Sequence, residues 1–413
     1  MGVEERRGQA MNFVPDPPEA PFTASEYGER LDRLRAAMAR DGIDLLYLTS
    51  SEALYYLSGY RAIWYQTLAL GGWEPISGIA VQRDADAYIH IECDREQALT
   101  NLTALSRDVR IWPLGEGDFL DFILGEIGAA GWLSGTLGLE LSHYRPYPAA
   151  SNRLRAGFEG RGCRVVDGTG TINAVRRRKS PQEMAYTRKA AEICDIGMRT
   201  AVETARPGIT ELELYGEIVR AVSKAGGEVA GITLPVQSGH RTIASHCMPS
   251  RRVIEAGDVL NVDVAGVYNR YHADGARTFS MGEPAPALAE LVAVSAASFA
   301  ILDEALAPDV PMRDVLPRLE DHYRSAGIWG SQRWTGGYEL GAAFPPDWVG
   351  AMSYTVGEET GEETFPIGLV ANYESNFYLP HRPGMSMLID TLVVEEDWAG
   401  FIHTVPHDLI VIE

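Results

Sequence analysis

The 413 residues exceed what one ordinary hydrophobic core organises, so two domains are expected. With 36 Lys and Arg against 57 Asp and Glu, the formal charge of −21 repels phosphate backbones and anionic lipid, so neither nucleic acid nor membrane is an expected partner. The first twenty residues do not read as a secretory signal, no run near twenty apolar residues is seen, and Cys93, Cys163, Cys194 and Cys247 show no CxxC spacing, which together point to a reducing cytoplasm.

Residues 1–22 read as a Pro-rich arm. From Thr23 to Arg40, Leu31, Leu34 and Met38 recur at helical spacing behind a Ser or Thr N-cap. IDLLYLT then reads as a buried strand, and strands alternate with helices through GIAVQRD, AYIHIE, DFLDFILGEIGAAG and TLGLEL, an α/β pattern over residues 23–165.

A second regime, residues 166–413, carries two capping boxes. Ser180-Pro181 with Glu183 starts a helix of about six turns, and Thr210 with Glu213 starts the next. Residues 207–226 align without a gap with 308–327, pairing Pro207 with Pro308 and Gly226 with Gly327. A duplicated unit of this kind predicts a pseudo-two-fold domain with its site between the halves.

NVDVAGVYNRYHADGARTF (261–279) reads as a β-hairpin carrying Asp263 and Asp274. If Tyr268 and Asn269 form the turn, the two aspartates face each other with Cβ atoms roughly 5 Å apart. Carboxylates that close repel unless a cation, a shared proton or a cationic substrate lies between them. Spacing alone leaves open whether they form a site or decorate a hairpin.

That hairpin resembles the one in the creatinase, prolidase, aminopeptidase P and methionine aminopeptidase superfamily, the pita-bread hydrolases. RRRKSPQEMAYTRKAA resembles the interdomain entry of its prolidase and creatinase branch. The resemblance implies an α/β (α+β) chain: an N-terminal creatinase-like domain followed by a pseudo-two-fold pita-bread catalytic domain.

Metal-dependent members of the superfamily hold two divalent ions on two Asp, one His and two Glu. Carried over, the resemblance places Tyr338 where the His belongs, Leu379 at the first Glu, and Leu388 or Ile389 at the second, with Asp390 one step off. Two of five ligands remain, and a single ion would need a shifted ligand such as Glu339 or Asp390. No metal and no cofactor are therefore expected.

TGGYELGAAFPPDW and RYH are similar to ectoine hydrolase, which with creatinase forms a metal-independent branch. That likeness implies hydrolysis of a non-peptide C–N bond of amide, amidine or guanidine type in a small polar or zwitterionic molecule. His246 aligns with the superfamily's active-site histidine and is the expected general acid and base, with Asp263 and Asp274 activating water, attacking, or holding a cationic group. Tyr338, Glu339, His272 and Arg333 are expected substrate contacts. Arg61, Trp64 and Tyr65 occupy a segment that, in creatinase-like homodimers, reaches into the partner's active site. A metal-dependent Xaa-Pro dipeptidase, a lyase on the same scaffold and a non-catalytic binding protein are the alternatives.

Overall fold

The computed structural model describes residues 13–62, 74–381 and 383–413. The chain divides into two compact units, Met1–Arg176 and Arg177–Glu413. The division falls later than the expected 165, because the last strand and helix of the first regime belong with the first unit.

In the first unit, helix α1 (Ala24–Asp41) starts where the Thr23 hydroxyl accepts from the Glu26 amide, and it stops at Gly42 in the left-handed region. Leu31, Leu34 and Met38 are its buried stripe. Six strands follow, β1 (Leu45–Leu48), β2 (Gly78–Gln82), β3 (Ile89–Cys93), β4 (Val109–Trp112), β5 (Thr136–Leu139) and β6 (Arg164–Asp167), in the order β4-β3-β2-β1-β5-β6. The sheet is mixed, with β1 parallel to β5 and antiparallel to β2.

The second unit opens with α2 (Pro181–Thr204) and α3 (Glu211–Lys224), and both expected capping boxes are present. Strands β7 (Val236–Ser238), β8 (Val259–Tyr268) and β9 (Tyr271–Met281) follow. Helices α4 (Pro286–Ala305) and α5 (Met312–Ser325), with the short β10 (Val310–Pro311) between them, begin the second half. It continues with β11 (Gln332–Tyr338), β12 (Ser353–Thr355), β13 (Thr364–Phe365), β14 (Val370–Tyr378) and β15 (Met385–Val394). The large sheet runs β12-β11-β14-β15-β9-β8-β7. The hairpin β8–β9, flanked by β7, is matched by β14–β15, flanked by β11, and the halves meet at β9 and β15. This is the pseudo-two-fold arrangement that the repeat predicted and the pita-bread fold that the resemblance implied, with α3 and α5 as the equivalent helices.

Helix α2 lies directly on the hairpin. A Cβ on Gly266 would sit 1.8 Å from the Ala190 carbonyl oxygen, so only glycine admits that approach. Helix α4 is the one described helix long and apolar enough, by length and composition, to cross a membrane. Here its Leu288, Leu291, Val292, Phe299 and Leu302 are buried in the second unit's core.

Candidate active site

The register of the hairpin differs from the expected one. Asn269 and Arg270, both at positive φ, make the turn, and Tyr268 pairs with Tyr271. Positive φ at both central residues is the type I′ signature, which matches the right-handed strand twist and suits Asn better than Tyr. Asp263 therefore pairs with Ala276, and Asp274 with Ala265. The aspartates are diagonal neighbours on one face, close enough to hydrogen-bond to each other.

A third carboxyl joins them. Positions 372, 374 and 376 of β14 share a face, and the register sets Glu374 against Gly336 on one side and Ile389 on the other. The Asn372 amide donates to Asp274 Oδ2 at 2.8 Å and to Glu374 Oε1 at 3.0 Å, bridging the two. Asn376 donates to Glu374 Oε2 at 2.7 Å. The Tyr338 hydroxyl donates to Asp274 Oδ2 at 3.3 Å and accepts from the Trp348 indole at 3.1 Å. Among the described residues, Asp263 Oδ1 and Asp274 Oδ1 have no hydrogen-bond donor, as expected of carboxyl oxygens that need a proton or a cation between them.

Burial sets the protonation of this cluster. It pushes Asp263 well above the ordinary carboxyl range, and the charges of Asp274 and Glu374 push the same way. Asp274 is raised too, by burial, against the hydrogen bonds from Asp263 and Asn372. Burial and the Asp274 charge lift Glu374 to about 8. At neutral pH the cluster thus holds protons that exposed carboxylates would have lost.

Asp263 and Glu374 line a cavity of about 1100 Å³ within the second unit, together with Tyr338, His246, Arg333, Trp334 and Trp348; Asp274 lies behind them. His246 is exposed at the cavity, on a loop tied down by the buried Glu211 carboxylate. That carboxylate accepts from Ser238, Arg241 and Ser250. Arg333 is also exposed, with no hydrogen bond or ion pair among the described residues.

Several expectations need correction. Glu339 points away from the cavity, since it follows Tyr338 in an extended segment and alternation turns it over. It pairs with the buried Lys179 at 2.8 Å. His272 shares the face of Asp274 but does not bond to it. Its Nε2 accepts from the Gly231 amide at 2.9 Å, and its Nδ1 faces the Arg270 carbonyl oxygen at 2.8 Å. Burial, then the Arg270 charge, lower its pKa to about 3, so the ring is neutral and structural. Replacing His272 by Ala orphans the Gly231 amide and should cost about 1–3 kcal/mol in denaturant unfolding. Trp64 and Tyr65 lie outside the described residues. Arg61, in the first unit, donates to the Glu19 carbonyl oxygen at 2.6 Å.

Leu379 is a core residue, and the carboxyl expected at its place is Glu374, five residues earlier. The signal was present in VANYESNFY: Asn372, Glu374 and Asn376 recur at period two, with Ser375 the one other polar side chain besides Tyr373 and the terminal Tyr378. Three of five ligand-type residues therefore remain, not two. Asp390 is not a shifted fourth, because it lies on the opposite face from Ile389. Burial would raise it, but Arg277, His403 and His407 hold it down at about 2. Arg277 is 2.9 Å from it and His407 2.6 Å.

The remaining donors do not fit a pair of divalent ions. At the two other positions where the resemblance places ligands stand a phenol whose proton is directed at Asp274 and the apolar Ile389. Two amide N–H donors meanwhile occupy the carboxyl oxygens an ion would need. Stable sites want three or four protein ligands per ion, with imidazole favoured by zinc and its neighbours. Among the described residues, no group of three or more His, Cys, Asp or Glu is placed to hold a metal ion.

Comparison with known proteins agrees with the fold. The family model described as metallopeptidase family M24 matches residues 185–396, and the creatinase/prolidase N-terminal domain matches 30–178. The chain is 28% identical over 366 residues to the ectoine hydrolase of Halomonas elongata, covering 82% of this chain and 87% of that one. It is 26% identical over 398 residues to the probable dipeptidase PepE of Mycobacterium bovis, covering 95% and 98%. The crystal structure of dipeptidase PepE from Mycobacterium ulcerans superimposes with a TM-score of 0.77 at 23% identity, covering 95% of this chain and 99% of that one.

Proposed function

The chain belongs to metallopeptidase family M24, and on that premise we propose that it hydrolyses a non-peptide C–N bond in a small molecule without using a metal ion. The observation that carries this reading is the carboxyl cluster of Asp263, Asp274 and Glu374, whose two remaining ligand positions are Tyr338 and Ile389. The likeness to ectoine hydrolase supports the same branch.

In the proposed reaction the Asp263–Asp274 pair shares one proton and carries one negative charge. The shared proton moves to Asp274, and Asp263, the member that faces the cavity, takes a proton from water. The water oxygen adds to the carbon of the C–N bond, that bond breaks, and His246 hands a proton to the departing nitrogen. Proton exchange with solvent through exposed His246 then restores the starting state. General acid–base assistance of this kind contributes about 10²–10⁴-fold. Tyr338 keeps its proton, because burial and then the carboxyl charges push its pKa well up, and so it serves as a donor.

Metal analysis of protein purified without chelator, followed by a turnover screen with and without chelator, tests the reading. The screen spans ectoines, guanidines, lactams, N-acyl amino acids and Xaa-Pro dipeptides. Full activity in chelator is expected. Stoichiometric zinc, manganese or iron with chelator-sensitive cleavage of Xaa-Pro dipeptides would establish the peptidase reading instead. Replacing His246 by Ala should lower kcat about 10²-fold or more with unchanged thermal unfolding, since its side chain is exposed. Full activity in that variant would remove it from the reaction.

A further inference from the structure

The cavity is larger and less uniform than a compact polar substrate requires. At about 1100 Å³ it lies just above the roughly 300–1,000 Å³ range that accommodates drug-sized ligands. Tyr338 divides it. On one side its ring stacks on Trp334, with centroids 6.2 Å apart, next to the exposed Arg333. On the other side its hydroxyl meets Trp348, and from there the wall is mostly apolar, with Ser223, Glu228, Thr233 and Asp347 as its polar members.

This apolar arm runs between α3, which contributes Val219 and Val222, and the segments 228–235 and 345–349. Ile232 and Leu234 line it from the first segment, Pro345 and Trp348 from the second. The segments press together, since a Cβ on Gly231 would lie 2.7 Å from the Asp347 carbonyl oxygen. His272 holds this wall through the Gly231 amide and its edge-to-face contact with Trp348. Val229, Met248 and Val349, three exposed apolar side chains, line the same cavity. Apolar surface left open to water beside a polar reaction centre marks a place where a ligand covers it.

Building on the proposed C–N hydrolase function, we infer that the substrate is an N-acyl amino acid with an extended apolar acyl chain. The chain lies in the arm beside Trp348, the amide sits over Asp263 and Glu374, and the carboxylate meets Arg333. Water supplies the hydroxyl to the acyl carbon and a hydrogen to nitrogen, releasing a carboxylic acid and a free amino acid.

The test is kcat/KM over a series from N-acetyl through N-octanoyl on one amino acid. It should rise about three- to fourfold per methylene until the arm is full. Ile232→Asp should flatten the dependence on chain length. Ala230→Trp, which shortens the arm without burying a charge, should move the optimum to shorter chains and serves if the first variant does not fold. A flat or falling series with measurable N-acetyl turnover overturns the acyl-arm inference and leaves the C–N hydrolase reading intact. Turnover of no member of the series, with cleavage of Xaa-Pro dipeptides in its place, overturns both.

Discussion

Asp263→Asn is expected to lower kcat by about 10²–10⁴-fold while making the protein more stable above neutral pH. Both effects have one origin. Asp263 is buried beside Asp274 and Glu374 in a site whose floor is Ala276, Met387 and Ile389, so its charged form has little solvation. The raised pKa means that the folded state binds a proton that the unfolded chain releases. Stability contributed by such a group is full below its unfolded pKa near 4 and is lost as pH rises through the folded value. Asparagine has no charge to bury, so the variant escapes that loss, but it cannot accept a proton from water. Thermal unfolding between pH 6 and 9, alongside turnover, checks both arms. A variant as active as the parent would remove Asp263 from the chemistry.

Glu374→Gln separates the third carboxyl from the pair. Its pKa of about 8 keeps Glu374 protonated at neutral pH, so glutamine copies its shape and neutrality. Asn376 Oδ1, buried and without a partner among the described residues, offers an acceptor for the new amide if the Asn376 side chain flips. The parent should lose stability between about pH 4.5 and 8, with a limiting slope of about 1.4 kcal/mol per pH unit for this one group. The variant should be flatter over that window. In kcat/KM the parent should decline above about pH 8 as Glu374 ionises, and the variant should lack that limb. An unchanged alkaline limb in the variant would assign it to another group.

Most secondary structure was legible because its causes are local. Thr23, the Ser180–Glu183 box and the Thr210–Glu213 box satisfy amide groups within one turn of where they stand, so spacing was enough. The duplicated dipeptides announced the two-fold arrangement, and the hairpin announced its two aspartates. Register was harder. It depended on which two residues of VYNRYH took positive φ, and a turn one residue later shifted the pairing by two and moved Asp263 from opposite Asp274 to diagonal from it. Glu339 and His272 show the same limit: proximity in sequence does not say which face a side chain takes or what already satisfies it.

By itself, then, the sequence determined the two-domain α/β architecture, the caps, the aspartate pair and a tyrosine, Tyr338, where the family resemblance places a metal-binding histidine. Each of these is either a near-neighbour effect or a residue identity at a recognisable motif. Only the tertiary structure decided that Glu374 completes the cluster, that Asp390 is turned toward Arg277, and that the cavity continues past Trp348 into an apolar arm. Those facts arise where strands far apart in sequence meet at β9 and β15. There, burial shared among several chain segments fixes both the charge of a carboxyl and the shape of the space in front of it.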